Sequence, residues 1–203
     1  FIDRHPERRV LVWGSAAPHM LQQSSESLAG RIAFCDLPPF TLDETGADAI
    51  DHLWLRGGFP RAFLAPDDDA SFRWRLDFVR TFIERDLPSL GSQVPSASTD
   101  RFWRMLAHAH GQVWNSSRFA SSFGVADTTV RRYLDLLTSA LVVRQLRPWH
   151  ENVGKRQVRS PKVYVRDTGL LHRLLGIDDL APDQTRTAPG GDRECSHMEK
   201  PVA

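Results

Sequence analysis

The sequence contains very little cysteine, and this scarcity excludes a disulfide framework. Among its 203 residues only Cys35 and Cys195 are cysteines, and neither has a second cysteine at the spacing of a metal site. Small secreted domains depend on several paired cysteines, whereas isolated thiols are typical of proteins in a reducing compartment. We therefore expect a cytoplasmic protein without structural disulfides and without a cysteine-based metal centre.

Long hydrophobic runs are also missing from the chain. No apolar stretch approaches the roughly 18 residues that a helix needs to cross a bilayer. With 41% hydrophobic and 25% charged residues, the composition is that of a globular protein with a substantial core. We expect no membrane partner.

The motifs that hold nucleotide phosphates and Mg²⁺ are missing as well. The chain has no G-x-x-x-x-G-K-[ST] sequence and no apolar strand that ends in paired acidic residues. It begins at Phe1 rather than at methionine, and it opens in the middle of a strand and helix pattern. This predicts a fragment whose N-terminal part is absent.

Charge is nearly balanced overall but unevenly distributed. The net charge is +1, yet residues 101–173 hold 13 of the 26 Lys and Arg and only 4 of the 25 Asp and Glu. That segment therefore carries +9, and the remainder carries −8. A basic half beside an acidic half indicates either contact with nucleic acid or an interface with an acidic surface.

The N-terminal part of the chain reads as strand, helix, strand. Two compact apolar runs, at residues 10–13 and 32–37, flank a short helical segment. This series is typical of the βαβ unit of a parallel sheet. Residues 1–45 are thus predicted to be the end of an α/β core, and the predicted fold class is α/β followed by mostly α.

Helices are predicted from residue 46 to residue 100, where they would form a lid or linker. Phe72, Leu76, Val79 and Ile83 recur at helical spacing and predict an amphipathic helix that Pro88 stops. Residues 177–203 are rich in proline, glycine and charge, and they predict a disordered tail.

Residues 101–176 predict a winged helix-turn-helix domain. Asn115 is the expected N-cap of a short helix that ends at Gly124, and Asp127 is the expected N-cap of the helix that follows. Val130, Tyr133, Leu134 and Leu137 form the apolar stripe of that second helix. Two strand-like runs come next, and helix, turn, helix and hairpin is the order of a winged helix.

Seven segments carry a family resemblance that covers about residues 1–180. They are "GSAAPHMLQQSSESLAGRI", "LPPFTLDE", "LWLRGGFPRAFL", "TFIERDLPSLG", "AHAHGQVWNSSRFASSFGV", "TVRRYLDLL" and "SPKVYVRDTGLLHRLLGI". In this order the chain resembles prokaryotic AAA-type (P-loop) ATPases that carry a C-terminal winged-helix and nuclease-like domain of unknown function. The resemblance implies the end of a parallel-sheet P-loop core, a helical lid and a winged helix. It places the phosphate-binding and Mg²⁺-binding motifs before Phe1.

The same resemblance implies functional roles for two residues near the N-terminus. Ser15, just past a predicted strand, would sense the γ-phosphate, and Arg31 would act as an arginine finger. A turn serine and a helix-terminal arginine are equally ordinary explanations of these residues. ATP and Mg²⁺ are implied for the intact protein, which would couple nucleotide state to a partner through the lid and the winged helix. The chain alone is not expected to hydrolyse ATP.

Eight residues of the predicted winged helix are candidates for contact with DNA or with a protein partner. Polar and basic side chains off the apolar stripe would face a major groove, and basic side chains on or beside the wing would meet phosphates. The candidates are Thr128, Thr129, Arg131, Arg132, Lys155, Arg156, Arg159 and Lys162. A DNA-binding regulator and a protein-interaction module, as a monomer or an oligomer, both remain open.

Two tempting sites have ordinary explanations. His108 and His110 lie two residues apart on a predicted helix, so they cannot share a face, and no metal site is expected. Asp167 follows a strand, as a catalytic carboxylate would, but it also fits the N-cap of the next helix. Capping is the prediction for Asp167.

Overall fold

The computed structural model describes residues 11, 33, 35–89, 92–148 and 160–177. The chain divides into two units, residues 1–33 and residues 34–203. The predicted strand at residues 10–13 and the predicted tail at residues 177–203 lie outside the described residues, apart from Leu11 and Ile177. Residues 35–37, which belong to the second predicted strand, are not in a strand. All of the helices and strands with described bounds belong to the second unit.

The first half of this unit is a series of helices with clear local signals at their ends. Gly57, with a φ of +76°, ends the helix Ile50–Arg56. Pro60 opens the helix Pro60–Phe63, and the Asp67 side chain caps the helix Asp68–Thr81 by accepting from the Ala70 N–H. The elements are α1 (Leu42–Thr45), a 3₁₀ turn (Ala47–Ala49), α2 (Ile50–Arg56), α3 (Pro60–Phe63), α4 (Asp68–Thr81), a π-helical turn (Phe82–Asp86) and α5 (Leu87–Ser89).

The face that α4 buries differs from the predicted one. The buried stripe consists of Ser71, Arg75 and Val79, at spacings of four. Leu76, predicted to be buried, is 39% exposed, whereas Arg75 is fully buried. The helix is rotated so that Arg75 reaches two backbone carbonyls outside α4, and the predicted apolar face is wrong at Leu76.

The second half continues with α6 (Ser96–His108), α7 (Ser116–Phe123), α8 (Asp127–Ser139), β1 (Val143–Leu146), β2 (Lys162–Val165) and α9 (Thr168–Leu175). The two strands pair antiparallel, with Val143 opposite Val165 and Leu146 opposite Lys162. In addition, Val113, in the connection between α6 and α7, forms an isolated antiparallel bridge with Lys162 of β2.

One hydrophobic core joins the two halves. Phe102 is fully buried in α6, and its ring contacts the rings of Trp114, Phe119, Phe123 and Tyr133. The same buried cluster runs from Val79 and Leu87 through α8 to Leu174. The helices of residues 46–100 and those of residues 101–176 are therefore packed together. The predicted boundary at residue 100 does not separate two cores, although the boundaries themselves stay predictions.

The predicted fold class is wrong. The part of the chain that the structure describes is mostly helical, and its single sheet consists of two antiparallel strands. No parallel sheet is found among these residues, so the expected end of a P-loop core is not there. Short apolar runs bounded by turn residues do not by themselves distinguish a parallel strand from an irregular segment.

Candidate nucleic-acid interface

The turn between α7 and α8 is held by hydrogen bonds between the two helices. Gly124 ends α7 in the left-handed conformation, with a φ of +68°. The hydroxyls of Ser116 and Ser117 both donate to Oδ2 of Asp127, at 3.1 and 2.8 Å. Asp127 is the first residue of α8, and Ala126 takes the cap position. The predicted cap is thus off by one residue, because the Asp127 carboxylate is bound by α7 instead of by its own helix.

Helix α8 has one fully apolar face and one polar face. Val130, Leu134 and Leu137 are at most 2% exposed and pack into the core. The opposite face consists of residues spaced three and four apart, which makes them neighbours on one side of the helix. Its exposed members are Thr128, Arg131, Arg132 and Asp135, with Thr129 half-buried at its border.

The two arginines of this face differ in their surroundings. The Arg131 guanidinium donates from Nη2 to the Ser116 hydroxyl at 3.3 Å, so it is held against α7. The Arg132 guanidinium is exposed and makes no hydrogen bond or ion pair with the described residues. A bound guanidinium positions the two helices, whereas an unpaired one on the same face is available to a ligand.

Gln145 of β1 connects the strand pair to α8. Its Nε2 donates to Oδ1 of Asp135 at 3.1 Å and to the Thr138 hydroxyl at 3.0 Å. These bonds fix the Asp135 carboxylate on the exposed face. No sequence signal pointed to Gln145, because its partners lie on another element.

Helix α7 adds a basic residue that the sequence analysis missed. Arg118 is exposed, and its backbone N–H donates to the side chain of the N-cap Asn115 at 3.0 Å. The expected capping role of Asn115 is thereby confirmed. Arg101 of α6, by contrast, is bound to α7. Its guanidinium covers the Phe123 ring at 4.8 Å and donates to the Ser122 carbonyl. Arg118 could have been found as the exposed position in the first turn after the cap.

The candidates on the wing are only partly described. Lys162 is exposed at the start of β2, directly opposite Leu146. Lys155, Arg156 and Arg159 lie outside the described residues. Ser15 and Arg31, the two candidates for ATPase chemistry, also lie outside them. The structure therefore describes the α8 candidates and Lys162, and the other five candidates lie outside the described residues.

The two histidines lie in different surroundings. His108 is exposed, whereas His110 is buried and its Nδ1 accepts a hydrogen bond from the Val165 N–H at 3.1 Å. Among the described residues, no group of three or more His, Cys, Asp or Glu side chains could hold a metal ion. No helix among them is long and apolar enough to span a membrane.

A buried polar junction lies where α9 meets α2 and α4. The Asp167 carboxylate accepts from the N–H groups of Leu170 and Gly58, each at 2.8 Å, which confirms its predicted capping role. Burial raises the pKa of Asp167, although both N–H groups and the Arg75 and His172 charges oppose that rise.

Arg75 supplies the positive charge of this junction. Its guanidinium donates to the carbonyls of Ser71, Leu55 and Gly169, at 3.3, 3.0 and 2.9 Å. Burial lowers the pKa of Arg75 to about 10, which leaves it protonated at neutral pH, and Asp167 partly offsets this effect. The junction ties α9, which follows β2, to α2 and α4.

The described residues form a mostly helical unit with one antiparallel strand pair. A family model described as "Domain of unknown function (DUF8612)" matches residues 47–181. This covers more than half of the chain, which therefore belongs to the DUF8612 family. The match includes every element from α2 to α9.

Two curated relatives come from mycobacteria. The chain is 56% identical over 171 residues to "Uncharacterized protein Mb2031c" of Mycobacterium bovis and to "Uncharacterized protein Rv2008c" of Mycobacterium tuberculosis. These alignments cover 84% of the chain but 39% of each relative, so the chain spans about two fifths of their length. No solved structure matches the chain.

The expected resemblance to AAA-type ATPases is wrong. The family that matches is a domain of unknown function rather than an AAA or P-loop family, and the described residues hold no parallel sheet. Describing this chain as an AAA-type, ATP-binding or nucleotide-binding ATPase is wrong together with that resemblance. ATP, Mg²⁺ and a role in a nucleotide-driven protein were implied only through that resemblance and stay predictions about a longer chain. The cytoplasmic location likewise stays a prediction.

Proposed function

We propose that residues 96–165 bind duplex DNA, with α8 as the helix that enters the major groove. The observation that carries the proposal is the division of α8 into two faces. Val130, Leu134 and Leu137 are buried and Tyr133 and Leu136 are half-buried against the core, while Thr128, Arg131 and Arg132 are exposed together. Because the apolar residues of α8 pack against the core, its exposed face is polar and suits a polar ligand.

The shape of this segment suits a duplex. The major groove of B-DNA is about 12 Å wide and admits one α-helix. In helix-turn-helix proteins the second helix lies in the groove and the first crosses the backbone. Here α7 presents the exposed Arg118 in its first turn, where a guanidinium would attract a phosphate. Lys162 at the start of β2 would meet the backbone on the wing side.

Charge distribution restricts where DNA can approach. Residues 35–100 contain 12 Asp and Glu but 6 Lys and Arg, of which Arg75 and Arg56 are buried. This part repels a polyanion. Residues 101–173 carry +9, so the attractive field is confined to the helix-turn-helix segment and its wing.

The proposal is tested by measuring the affinity of the full 203-residue chain for a 30-base-pair duplex by fluorescence anisotropy. Arg131→Ala/Arg132→Ala should weaken binding at least tenfold, because two charges leave the groove-facing side of α8. The matched control is Arg73→Ala/Arg85→Ala, which removes two exposed charges outside the helix-turn-helix. It should leave the affinity within about twofold.

Other outcomes would overturn the proposal. Equal weakening by both double variants would mean that net charge alone attracts the duplex. Absence of binding at low salt would favour the competing class, a protein-interaction module whose basic face docks on an acidic partner. The activities of the longer mycobacterial relatives do not enter this test, since the chain covers 39% of them.

A further inference from the structure

Arg132 and Asp135 form an exposed pair on α8 with opposite charges and one helical turn between them. Residues three apart lie on the same side of a helix, with Cβ atoms about 5–6 Å from each other. Their side chains do not form an ion pair with one another in the described structure. Arg132 has no partner among the described residues, and Asp135 is bound only through Oδ1, by Gln145.

The carboxylate is the informative member of the pair. Asp135 weakens the attraction between α8 and the phosphates of any duplex, so its presence costs non-specific affinity. The carboxylate already accepts from Gln145 through Oδ1, and its Oδ2 can offset this cost by accepting from a hydrogen-bond donor of the ligand. In the major groove the N4 amino group of cytosine and the N6 amino group of adenine are the donors, and acidic side chains pair with the first of these.

Gln145 holds Asp135 in a position suited to this task. The Nε2 group donates to Oδ1 of Asp135 and to Thr138, so β1 fixes the direction of the carboxylate before any ligand arrives. Oδ2 of Asp135 is left without a partner among the described residues. A fixed acceptor that still has an unused oxygen is preorganised for one donor.

Arg132 has the complementary chemistry. An exposed guanidinium presents a planar pair of donors, and its best match in the major groove is the O6 and N7 atoms of guanine. Lysine carries the same charge but lacks the planar fork of donors, so its contact with O6 and N7 is less well oriented and weaker.

We infer that α8 selects duplexes with G·C pairs in the contacted region, through Arg132 bonded to guanine and Asp135 bonded to cytosine N4. This inference rests on the proposed DNA binding and adds to it the sequence class that is bound. Arg131 is not part of the reading pair, because Ser116 already holds its guanidinium against α7.

The test begins with selection of bound duplexes from a randomised library by the full chain, followed by affinity measurements on the selected duplex. The selected core should contain G·C pairs. Replacement of the contacted guanine by 7-deazaguanine, which lacks N7, should weaken binding about tenfold, whereas the same replacement at a guanine outside the selected core should leave binding unchanged. Arg132→Lys should reduce the same preference, because the planar fork is lost, while it keeps the salt dependence of binding.

Asp135→Asn separates base reading from a structural role. The asparagine oxygen can still accept from Gln145, so the melting temperature should not change. Affinity for an A·T duplex should rise, since a negative charge is lost, and the preference for the selected duplex should fall about tenfold. Gln145→Ala should reduce the preference in the same direction, because the carboxylate is no longer held.

Failure of the inference differs from failure of the proposed function. If the chain binds duplexes without a preference for G·C, or if Arg132→Lys keeps the preference, the base-reading pair is wrong and DNA binding stands. If no duplex binds at low salt, both are wrong. A selected core of A·T pairs would also overturn the inference.

Discussion

The Asp167 carboxylate accepts a hydrogen bond from the Gly58 N–H at 2.8 Å, across 109 residues of sequence. The same carboxylate caps α9 through the Leu170 N–H. One side chain therefore joins the turn after α2 to the helix that follows β2. This bond therefore ties the start of α9 to the turn after α2.

The close approach at this junction depends on Gly169. A Cβ atom there would overlap the carbonyl group of Arg56, which is backbone and cannot swing away. We expect Gly169→Ala to lower the free energy of unfolding by about 2–3 kcal/mol, as overpacking does. Gly124→Ala is the control, because its Cβ meets nothing within 4 Å and only the left-handed φ costs about 1 kcal/mol. Urea denaturation of both variants measures the difference, and equal losses would contradict the steric explanation.

Arg75 compensates the charge of this junction. Arg75→Met removes the donor to the Leu55 and Gly169 carbonyls and the cation near Asp167. The free energy of unfolding should fall by about 3 kcal/mol, because a buried carboxylate then lacks its counter-charge. Arg73→Met, two residues away and exposed, should change it by no more than about 0.5 kcal/mol. A small effect at Arg75 would mean that the carbonyls find other donors.

The pH dependence of stability should carry the signature of Asp167. Burial raises the pKa of this group from 3.8, so the folded state holds the proton more tightly than the unfolded state. Stability attributable to Asp167 is therefore lost as the pH rises from 3.8 through the raised pKa. The free energy of unfolding of the wild type, minus that of Asp167→Asn, should fall as the pH rises through this range. A difference that grows with pH would contradict the assignment.

Local signals in the sequence predicted the buried stripe of α8 and two of the helix caps. The apolar stripe of α8 follows from its spacing, and the caps at Asn115 and Asp167 follow from residue type and position. These features depend on neighbours within one helix turn, which the sequence displays directly.

Features that depend on distant partners could not be found in this way. Arg75 is buried because carbonyls 20 and 94 residues away receive its N–H groups. Asp127 is one residue inside its helix because hydroxyls of α7 bind it. The fold class was wrong because two short apolar runs and a resemblance were extended to a parallel sheet, although residues 35–37 form no strand.

The salt dependence of duplex binding tests the central claim most directly. If residues 96–165 bind duplex DNA, the logarithm of the affinity should fall linearly with the logarithm of salt concentration, by about 0.9 for each neutralised phosphate. Arg118→Ala should reduce this slope by about 1, because one phosphate contact is lost from α7. An affinity that stays constant between about 50 and 200 mM salt, or a slope that Arg118→Ala leaves unchanged, would contradict the account.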